Sequence, residues 1–560
     1  MGLFDWFRRK PKSASKQSLI NELEETLRQS MGASAFEAFK LAQKDPPRDA
    51  WMPPAYSGNT AVLSSYDLLD RRVRDLLRNH PQARKIRDSF VNLVVGRGVQ
   101  TFSNPFKTIE SNVVLEEIKQ LVDGETGPRF SYALESDDLF EEWASDCTQV
   151  DAEGRLDWTQ MQRMLMGESV AVGTGLLIRV TPLKYKRIPI AYQLIEREQL
   201  DRSQDTPGSK TENKIVGGVE MTPKNVVVAY HVFTDHPADA FGGFTGTTFQ
   251  GIGMPITSGQ YTERITADRV IDLTLFHRPS AALGNSWFDA IGQSIFDRGS
   301  FMDSEIRTSA LNAIFAFVAK LKDADTNVPD EFSPDLDSSP ATNSRGDYRL
   351  GTAPQAQVIC PDEEISMVRA ERPNPNANNF MNLIDHDIAA GSGGLSYYTL
   401  TNDYAQTNFS SAHGAKLDED LAIAPLQQWF QRVVALRVRS EVNTMLAIFD
   451  QFETVTPKEF EKNKRLYNRF DAISPWRGQL DPMRETEALI SALRSGLSTF
   501  QQACARKGLH WIKQAAQIAN EHALFESLGI TLDHSKNASG VTASGQVGEQ
   551  VLDANNAERL

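Results

Sequence analysis

The sequence contains little cysteine, and the cysteines it has are far apart. Cys147, Cys360 and Cys504 are the only three in 560 residues, and none belongs to a CxxC pair or a Cys/His cluster. This spacing indicates neither a disulfide framework nor a structural zinc site. Such a chain fits the reducing environment of a cytoplasm.

Long apolar runs are also missing. The longest, residues 311–319, is much shorter than the roughly 18–20 residues that a membrane span requires, so no membrane partner is predicted. The start, MGLFDWFRRKPK, has too short an apolar part for a signal peptide, and Trp6 stands where a myristoylation motif needs Ser or Thr. Residues 1–55 are polar and predict a flexible arm, with a partner-docking peptide as the alternative.

Positive charge is in deficit, because 59 Lys and Arg face 73 Asp and Glu, which gives a net charge of −14. A protein that grips nucleic acid neutralises phosphates with clustered basic residues, and this composition argues against that role. It does not argue against a conduit, in which acidic walls would repel DNA mildly as it slides. Solubility alone is the other explanation of the acidity.

The nine histidines do not form any catalytic or metal-binding motif. None forms HExxH, HxH or a nucleophile elbow. His386 lies between Asp385 and Asp387 in a helical pattern, and it is predicted to be a helix-surface or interface residue rather than a metal ligand. No cofactor is predicted.

Two further patterns resemble functional motifs only partly. The Gly-rich residues 240–260 and the GSKT at 208–211 lack the spacing of a phosphate-binding loop and are predicted to be surface loops. Pro329-Asp330 and Pro361-Asp362 resemble the start of nuclease motifs, but no acid-x-Lys element follows either pair. A metal-dependent nuclease or other DNA-processing enzyme therefore stays as the alternative function.

Helical and strand-like patterns alternate along the chain, and the 40% hydrophobic content allows a substantial core. Residues 66–95 have helical spacing that stops at Gly96 and Gly98, and Asp157 is predicted to begin a helix over 157–166. The patterns that predict strands cover residues 170–180, 188–194, 214–220 and 226–233.

The second half is predicted to be mainly helical. Asn285 and Ser286 are predicted to cap a helix whose apolar ridge is interrupted at Gly299 and Ser300, and which would be about 50 Å long if unbroken. A second helix is predicted over 378–390, and a third over 411–450 that Pro425 should kink. Near the C-terminus the predicted helix boundaries are Asp481-Pro482, Gly496, a capping box at 498–501, Gly508 and Gly529.

Residues 393–420, GGLSYYTLTNDYAQTNFSSAHGAKLDED, join aromatic, amide and hydroxyl side chains into a loop that leads into a helix. Ser410 and Ser411 are predicted as N-caps of this helix, and Asp418, Glu419 and Asp420 as favourable charge near its start. Because no catalytic spacing is present, this segment favours contact over chemistry.

This segment resembles the lambda-type family of tailed-phage portal (head-tail connector) proteins, in its glycines, Tyr397, Asp403 and the run Asn408-Phe409-Ser410-Ser411. The family usually continues Ser-Ala-Arg, whereas this chain has His413 at the third position. Residues 71–99 resemble the family's opening helix pair and Val-Gly-x-Gly turn. A third block of matches runs through Trp476, Asp481-Pro482, Glu485, residues 496–499, Gly508, Glu521 and residues 528–530.

The resemblance implies an α+β portal fold with a sheet-containing wing, a long-helix stem, a clip and a helical crown. The implied parts are a flexible arm at 1–55, the wing at 56–284, the first stem helix at 285–320, the clip at 321–372, the second stem helix at 373–393, the channel loop at 394–410, the long wing helix at 411–455, the crown at 456–533 and a disordered tail at 534–560.

The implied function is structural, with no enzymatic activity. Copies would form a dodecameric ring at one capsid vertex of the virion, after assembly in the host cytoplasm. The ring would nucleate head assembly with the major capsid protein and scaffold, dock the terminase large subunit and then head-completion or tail adaptor proteins, and pass double-stranded DNA non-specifically.

The resemblance also suggests where contacts lie. The channel-loop candidates are Tyr397, Tyr398, Asn402, Asp403 and Asn408, because amide and phenol groups can touch a duplex without the grip of Arg and Lys. The alternative for Tyr397 and Tyr398 is that they pack the loop against the wing. In the clip, the candidates for terminase docking are Asp323, Asp325, Asp330 and Glu331.

Overall fold

The computed structural model describes residues 55–105, 128–182, 184–238, 261–314, 377–405, 407–475 and 482–528. The chain divides into two compact units, residues 1–57 and 58–560, and every element below belongs to the second. Helices and sheets both contribute, which confirms the predicted mixed class.

The first helices form where the sequence predicted helical spacing. They are α1 (Gly58–Leu63), α2 (Tyr66–Asn79) and α3 (Pro81–Val94). The pattern over 66–95 is thus two helices, since Pro81 begins α3 and holds His80 in an extended conformation. As predicted, Gly96 and Gly98 end the pattern, and both have positive φ.

Three helices follow: α4 (Pro128–Ser145), α5 (Cys147–Val150) and α6 (Trp158–Val172). Asp157 caps α6 as predicted, in a capping box with Gln160. The strand predicted from residue 170 is wrong at its start, because α6 continues to Val172. Gly173 then ends the helix at φ 82, where a Cβ would lie 2.2 Å from the carbonyl oxygen of Asn285.

Nine strands form three antiparallel sheets among the described residues. They are β1 (Gln100–Ser103), β2 (Thr174–Val180), β3 (Ala191–Ile195), β4 (Lys214–Val216), β5 (Val219–Met221), β6 (Val227–Phe233), β7 (Thr262–Thr266), β8 (Val270–Thr274) and β9 (Phe470–Ile473). The strand orders are β3-β2-β8, β4-β5-β6-β7 and β1-β9. The strand predicted over 214–220 is two strands, because Gly217 and Gly218 form a turn between them.

Long and short helices follow in the chain. They are α7 (Gly292–Ile314), α8 (Ala377–Gly391), α9 (Tyr397–Thr401), α10 (Phe409–Phe430), a π-helix (Gln431–Ala435) and α11 (Leu436–Ile448). The prediction of a cap at Asn285 or Ser286 is wrong, since α7 begins at Gly292. The Ser286 hydroxyl instead donates to the carbonyl of Ala171 at 2.6 Å. The helix passes through Gly299 without a break.

The last elements are α12 (Pro457–Lys462), α13 (Lys464–Tyr467), α14 (Pro482–Arg494), α15 (Phe500–Arg506) and α16 (Trp511–Ser527). Gly496 and Gly508 follow helix ends with positive φ, as predicted. The capping box predicted at 498–501 is one residue too early, because Thr499 and Gln502 form it. Strand β9 was not predicted, and Asp481 and Gly529 lie outside the described residues.

The largest apolar core joins α2, α3 and α6 to β2, β8, α11 and the long helix pair, which consists of α7 and α8. Two ion pairs are buried beside it. Arg197 binds Asp70 and also donates to the carbonyl of Gly284 at 2.7 Å. Arg439 donates to Asp137 at 2.8 Å. Removing one partner of such a pair leaves an uncompensated buried charge, so both pairs fix the position of the elements that carry them.

Candidate functional site

The predicted channel loop lies between α8 and α10, and two glycines shape its start. Gly393 and Gly394 have φ of 83° and 129°, which L side chains rarely adopt. A Cβ on Gly394 would lie 2.5 Å from the Cβ of Ala422 in α10. Helix α10 therefore passes directly against the beginning of the loop, and only glycine allows that approach.

The loop is not open throughout, because its first part folds into the short helix α9. Ser396 caps α9 by accepting a hydrogen bond from the backbone N–H of Thr399 at 3.1 Å. The helix ends at Asn402, which adopts the left-handed conformation at φ 55. Thr399 also donates to Glu419 of α10 at 3.0 Å, so α9 is bound to the helix that follows it.

An aromatic row runs from α8 through α9 into the loop. His386 stacks on Tyr397 with ring centroids 4.0 Å apart, Tyr397 contacts Tyr398 edge-on at 5.7 Å, and Tyr398 stacks on Tyr404 at 6.0 Å. Tyr397 and Tyr398 are half-buried, whereas Tyr404 is 58% exposed. The ring contacts of Tyr397 and Tyr398 are therefore with α8 and within the loop. Packing against the wing and contact with DNA both stay predictions.

The other three loop candidates are exposed. Asn402 accepts a hydrogen bond from the ammonium group of Lys85 in α3 at 3.3 Å. The Asp403 carboxylate accepts one from the backbone N–H of Ala405 at 3.0 Å. Asn408 caps α10 by accepting from the N–H of Ser411 at 2.8 Å. The prediction of Ser410 or Ser411 as the cap is therefore wrong, because Asn408 has the extended backbone that a cap requires.

A buried carboxylate clamps the base of the long helix pair. Arg298 of α7 donates two hydrogen bonds to Asp385 of α8, at 2.6 and 3.1 Å, and Gln82 of α3 donates a third. Asp385 is only 4% exposed. Because His386 follows it directly, one turn of α8 holds the helix pair to α3 on one side and contacts the aromatic row on the other.

Several predicted site residues are not among those that the structure describes. Asp323, Asp325, Asp330 and Glu331 of the clip lie outside the described residues, as do the two Pro-Asp pairs of the nuclease alternative. Within the described ranges, no three His, Cys, Asp or Glu side chains lie together as a metal site would need. No helix in those ranges is long and apolar enough to cross a bilayer.

Sequence reasoning missed Lys85 and Tyr404 as members of this site. Tyr404 stood in the predicted loop, and its aromatic type in an exposed segment was the available signal. Lys85 is more than 300 residues away in sequence from Asn402, and no local pattern indicates their contact.

Comparisons with known proteins agree with one another. The sequence model of the family described as "Phage portal protein, lambda family" matches residues 44–427, which is more than half of the chain. The chain is 21% identical to Portal protein B of Escherichia phage lambda, over 84% of this chain and 86% of that protein. It is 20% identical to the Portal protein of Escherichia phage N15, over 84% of this chain and 87% of that one.

Among solved structures, the chain is similar to a chain from the neck of an empty GTA particle. The identity is 12%, the TM-score is 0.33, and the likeness covers 80% of this chain and 96% of that one. The neck of a native GTA particle gives 13% identity and a TM-score of 0.32, over 78% and 94%. TM-scores this low support no argument about the fold.

Proposed function

The chain belongs to the lambda family of phage portal proteins, and we propose that its copies form a ring at one capsid vertex through which double-stranded DNA is packaged and ejected. The observation that carries this proposal is the family match over residues 44–427. The lambda portal protein is also matched over most of both chains. The family is named for a structural part of the virion, and no catalytic step is proposed.

Exposed apolar side chains support assembly of copies. They lie on the long helix pair and on the first turns of α10, and they are Phe296, Met302, Ile306, Phe380, Leu383, Leu417 and Leu421. Leu421 is 76% exposed and Leu383 is 67% exposed in the single chain. Neighbouring copies in a ring would cover these side chains and remove their apolar area from water.

Residues 394–410 are proposed as the loop that faces the channel. Three features support this. The short helix α9 is bound to α10 through Thr399 and Glu419. The side chains of Asn402, Asp403 and Asn408 are exposed, and Tyr404 ends the aromatic row in solvent. Groups without permanent positive charge can contact a moving duplex without the salt-dependent binding that phosphate-neutralising residues cause. Lys85 is the exception, because its ammonium group donates to Asn402 at 3.3 Å and keeps its positive charge.

The finer assignments of the family resemblance belong to the same proposal. They are a twelve-fold ring, nucleation of the head with capsid and scaffold proteins, docking of terminase at Asp323, Asp325, Asp330 and Glu331, and later docking of tail adaptors. The wing, stem, clip and crown are proposed with the boundaries given above. The location is the virion, after assembly in the host cytoplasm.

The loop assignment is tested with a double variant, Asn402→Ala with Asp403→Ala, supplied in place of the native protein during phage growth. We expect rings to form normally, because both side chains are exposed and neither packs in the core. The number of DNA-filled particles should fall, since the groups that meet the duplex are removed. Particle counts by electron microscopy and infectivity titres measure this.

Lys458→Ala, at an exposed position on α12, is the matched control and should package as the native protein does. Unchanged infectivity of the loop variant would reject the loop assignment and leave the ring untouched. Failure of ring formation in that variant would show instead that Asn402 and Asp403 have a structural role.

A further inference from the structure

The small sheet of β1 and β9 has one open edge. The two strands pair antiparallel, with Gln100 opposite Ile473 and Ser103 opposite Phe470. The N–H of Asn104 donates to the carbonyl of Arg469 at 2.9 Å, so backbone groups of alternate residues from Arg469 onward face β1. The N–H and C=O groups of Phe470 and Ala472 therefore point away from β1.

The two outer edges of this sheet differ. On β1, the outward N–H of Ser103 donates to the buried carboxylate of Asp137 at 2.8 Å, so that edge is covered by α4. On β9, the N–H groups of Phe470 and Ala472 donate no hydrogen bond, and their C=O groups accept none, among the residues in the described part of the chain. An open strand edge of this kind is a template for pairing with another strand.

A cleft of about 400 Å³ lies along this open edge. All four residues of β9 line it, and since successive side chains point to opposite faces of a strand, a cleft that touches all four runs along the edge. The opposite walls carry Gln428, Arg432, Gln501 and His510. Apart from Arg432 and Asp471, these lining side chains carry no formal charge, which suits a neutral peptide backbone.

His510 gives independent evidence that a partner binds in this cleft. The residue is only 8% exposed, and neither ring nitrogen has a hydrogen-bond partner among the residues that the structure describes. The ring is held in place by stacking on Phe102, with centroids 4.4 Å apart. Buried polar groups are normally hydrogen-bonded, so an imidazole held rigidly without partners indicates that a donor or acceptor is supplied from elsewhere.

We propose that residues 541–547 of the same chain add to the open edge of β9 as a third strand and fill this cleft. Their sequence, Val-Thr-Ala-Ser-Gly-Gln-Val, has no charged residue and alternates apolar or small with polar positions, as a half-buried strand does. Its polar face supplies hydroxyl and amide groups to His510 and the glutamines, and its apolar face covers Phe470 or Ala472. This docking does not depend on the ring.

The chain after α16 is long enough for residues 541–547 to reach back to the cleft. Helix α16 begins at Trp511, which lines the cleft, and its 17 residues carry the chain about 25 Å away. Thirteen residue steps then separate Leu528 from Val541, and an extended chain spans up to about 43 Å over that length at roughly 3.3 Å per residue. A third strand would also stabilise the sheet, because two-stranded sheets are marginal alone.

Hydrogen-deuterium exchange of the full chain tests the proposal, followed in the peptide that spans residues 468–475. The test variant is Ala543→Pro with Ser544→Pro, which removes two neighbouring N–H donors, one of which must face β9. We expect exchange in that peptide to be about tenfold faster in the variant, because protection requires the docked strand. A synthetic peptide of residues 539–549, added to the variant, should restore protection.

The matched control is Asn555→Pro with Asn556→Pro, in the same C-terminal segment but outside the proposed strand, and it should exchange like the native chain. Equal exchange in the native chain and the test variant would overturn the proposal. It would also be overturned if protection in the native chain disappeared when rings were diluted to monomers, because the strand would then come from a neighbouring copy.

Discussion

Single glycines determine how closely some helices approach their neighbours. Gly299 lies in the middle of α7, and a Cβ there would lie 2.7 Å from Cε1 of the His80 ring. Gly414 lies in α10, and among the described residues no atom outside its own helix backbone lies within 4 Å of a Cβ built there. The two positions share a helical backbone and differ in the space beside them.

Gly299→Ala and Gly414→Ala should therefore change stability in opposite directions. Alanine favours a helix over glycine by about 1 kcal/mol, so Gly414→Ala should raise the melting temperature. At Gly299 the same gain is opposed by displacement of the His80 ring, which also contacts Phe296. We expect a lower melting temperature there, and equal increases in both variants would contradict the close contact.

His510 should make stability depend on acid. The pKa of His510 is lowered to about 4, mainly by burial; the nearby Asp471 opposes this shift and Lys513 adds to it. An unfolded histidine titrates near 6.5, so between about pH 6.5 and 4 the unfolded chain binds a proton that the folded chain does not. Stability that is present above pH 6.5 is consequently lost as the pH falls through this window.

The test compares melting temperatures at pH 7.5 and pH 5. His510→Phe keeps the stacking on Phe102 and removes the titrating group, so its melting temperature should fall less on acidification than that of the native chain. His277→Phe, at an exposed position, should fall as much as the native chain does. If the melting temperature fell equally in all three proteins, His510 would not be the source of the acid sensitivity.

At the scale of elements, the carboxylate of Asp385 joins α7, α8 and α3. The next residue, His386, stacks on Tyr397 of α9. The loop position is therefore coupled to the base of the helix pair through adjacent residues of α8. Loss of the Asp385 carboxylate should therefore loosen both the helix pair and the loop.

Asp385→Ala should reduce the free energy of unfolding by up to about 3 kcal/mol, because it leaves the Arg298 guanidinium without its buried partner. Asp387→Ala is the matched control two residues along α8, where the side chain is exposed. Denaturant unfolding followed by fluorescence measures the difference. Equal, small losses in the two variants would show that the clamp contributes little.

Many helix boundaries could be predicted from local sequence, because caps and stops depend on one or two residues. Asp157, Gly96 and Gly508 are examples. Strand β9 could not be predicted, since four residues acquire their conformation by pairing with β1, some 370 positions earlier in the chain. Val170 was wrongly placed in a strand. It is fully buried, and a segment that is buried on all sides has a continuous apolar sequence whether it is a helix or a strand.

In the candidate loop, too, local features could be predicted and features that depend on distant residues could not. Its position between two long helices, its exposed amides and its Tyr residues could be read from the sequence. The helix α9, the Asn408 cap and the contact of Lys85 with Asn402 could not, because each depends on tertiary neighbours. The family resemblance supplied the function, which no motif in the chain specifies.

At the scale of the whole molecule, an acidic chain with a net charge of −14 exposes apolar side chains on the helices that flank the loop. Charge keeps separate copies apart in solution, while apolar faces drive specific association. A closed ring satisfies both, because each copy covers its neighbour and the assembly leaves no apolar face at an end.

Electron microscopy of the purified protein shows whether such rings form. We expect closed rings with a central channel, formed without any other protein. A population of monodisperse monomers, at concentrations where the exposed helices should associate, would contradict it.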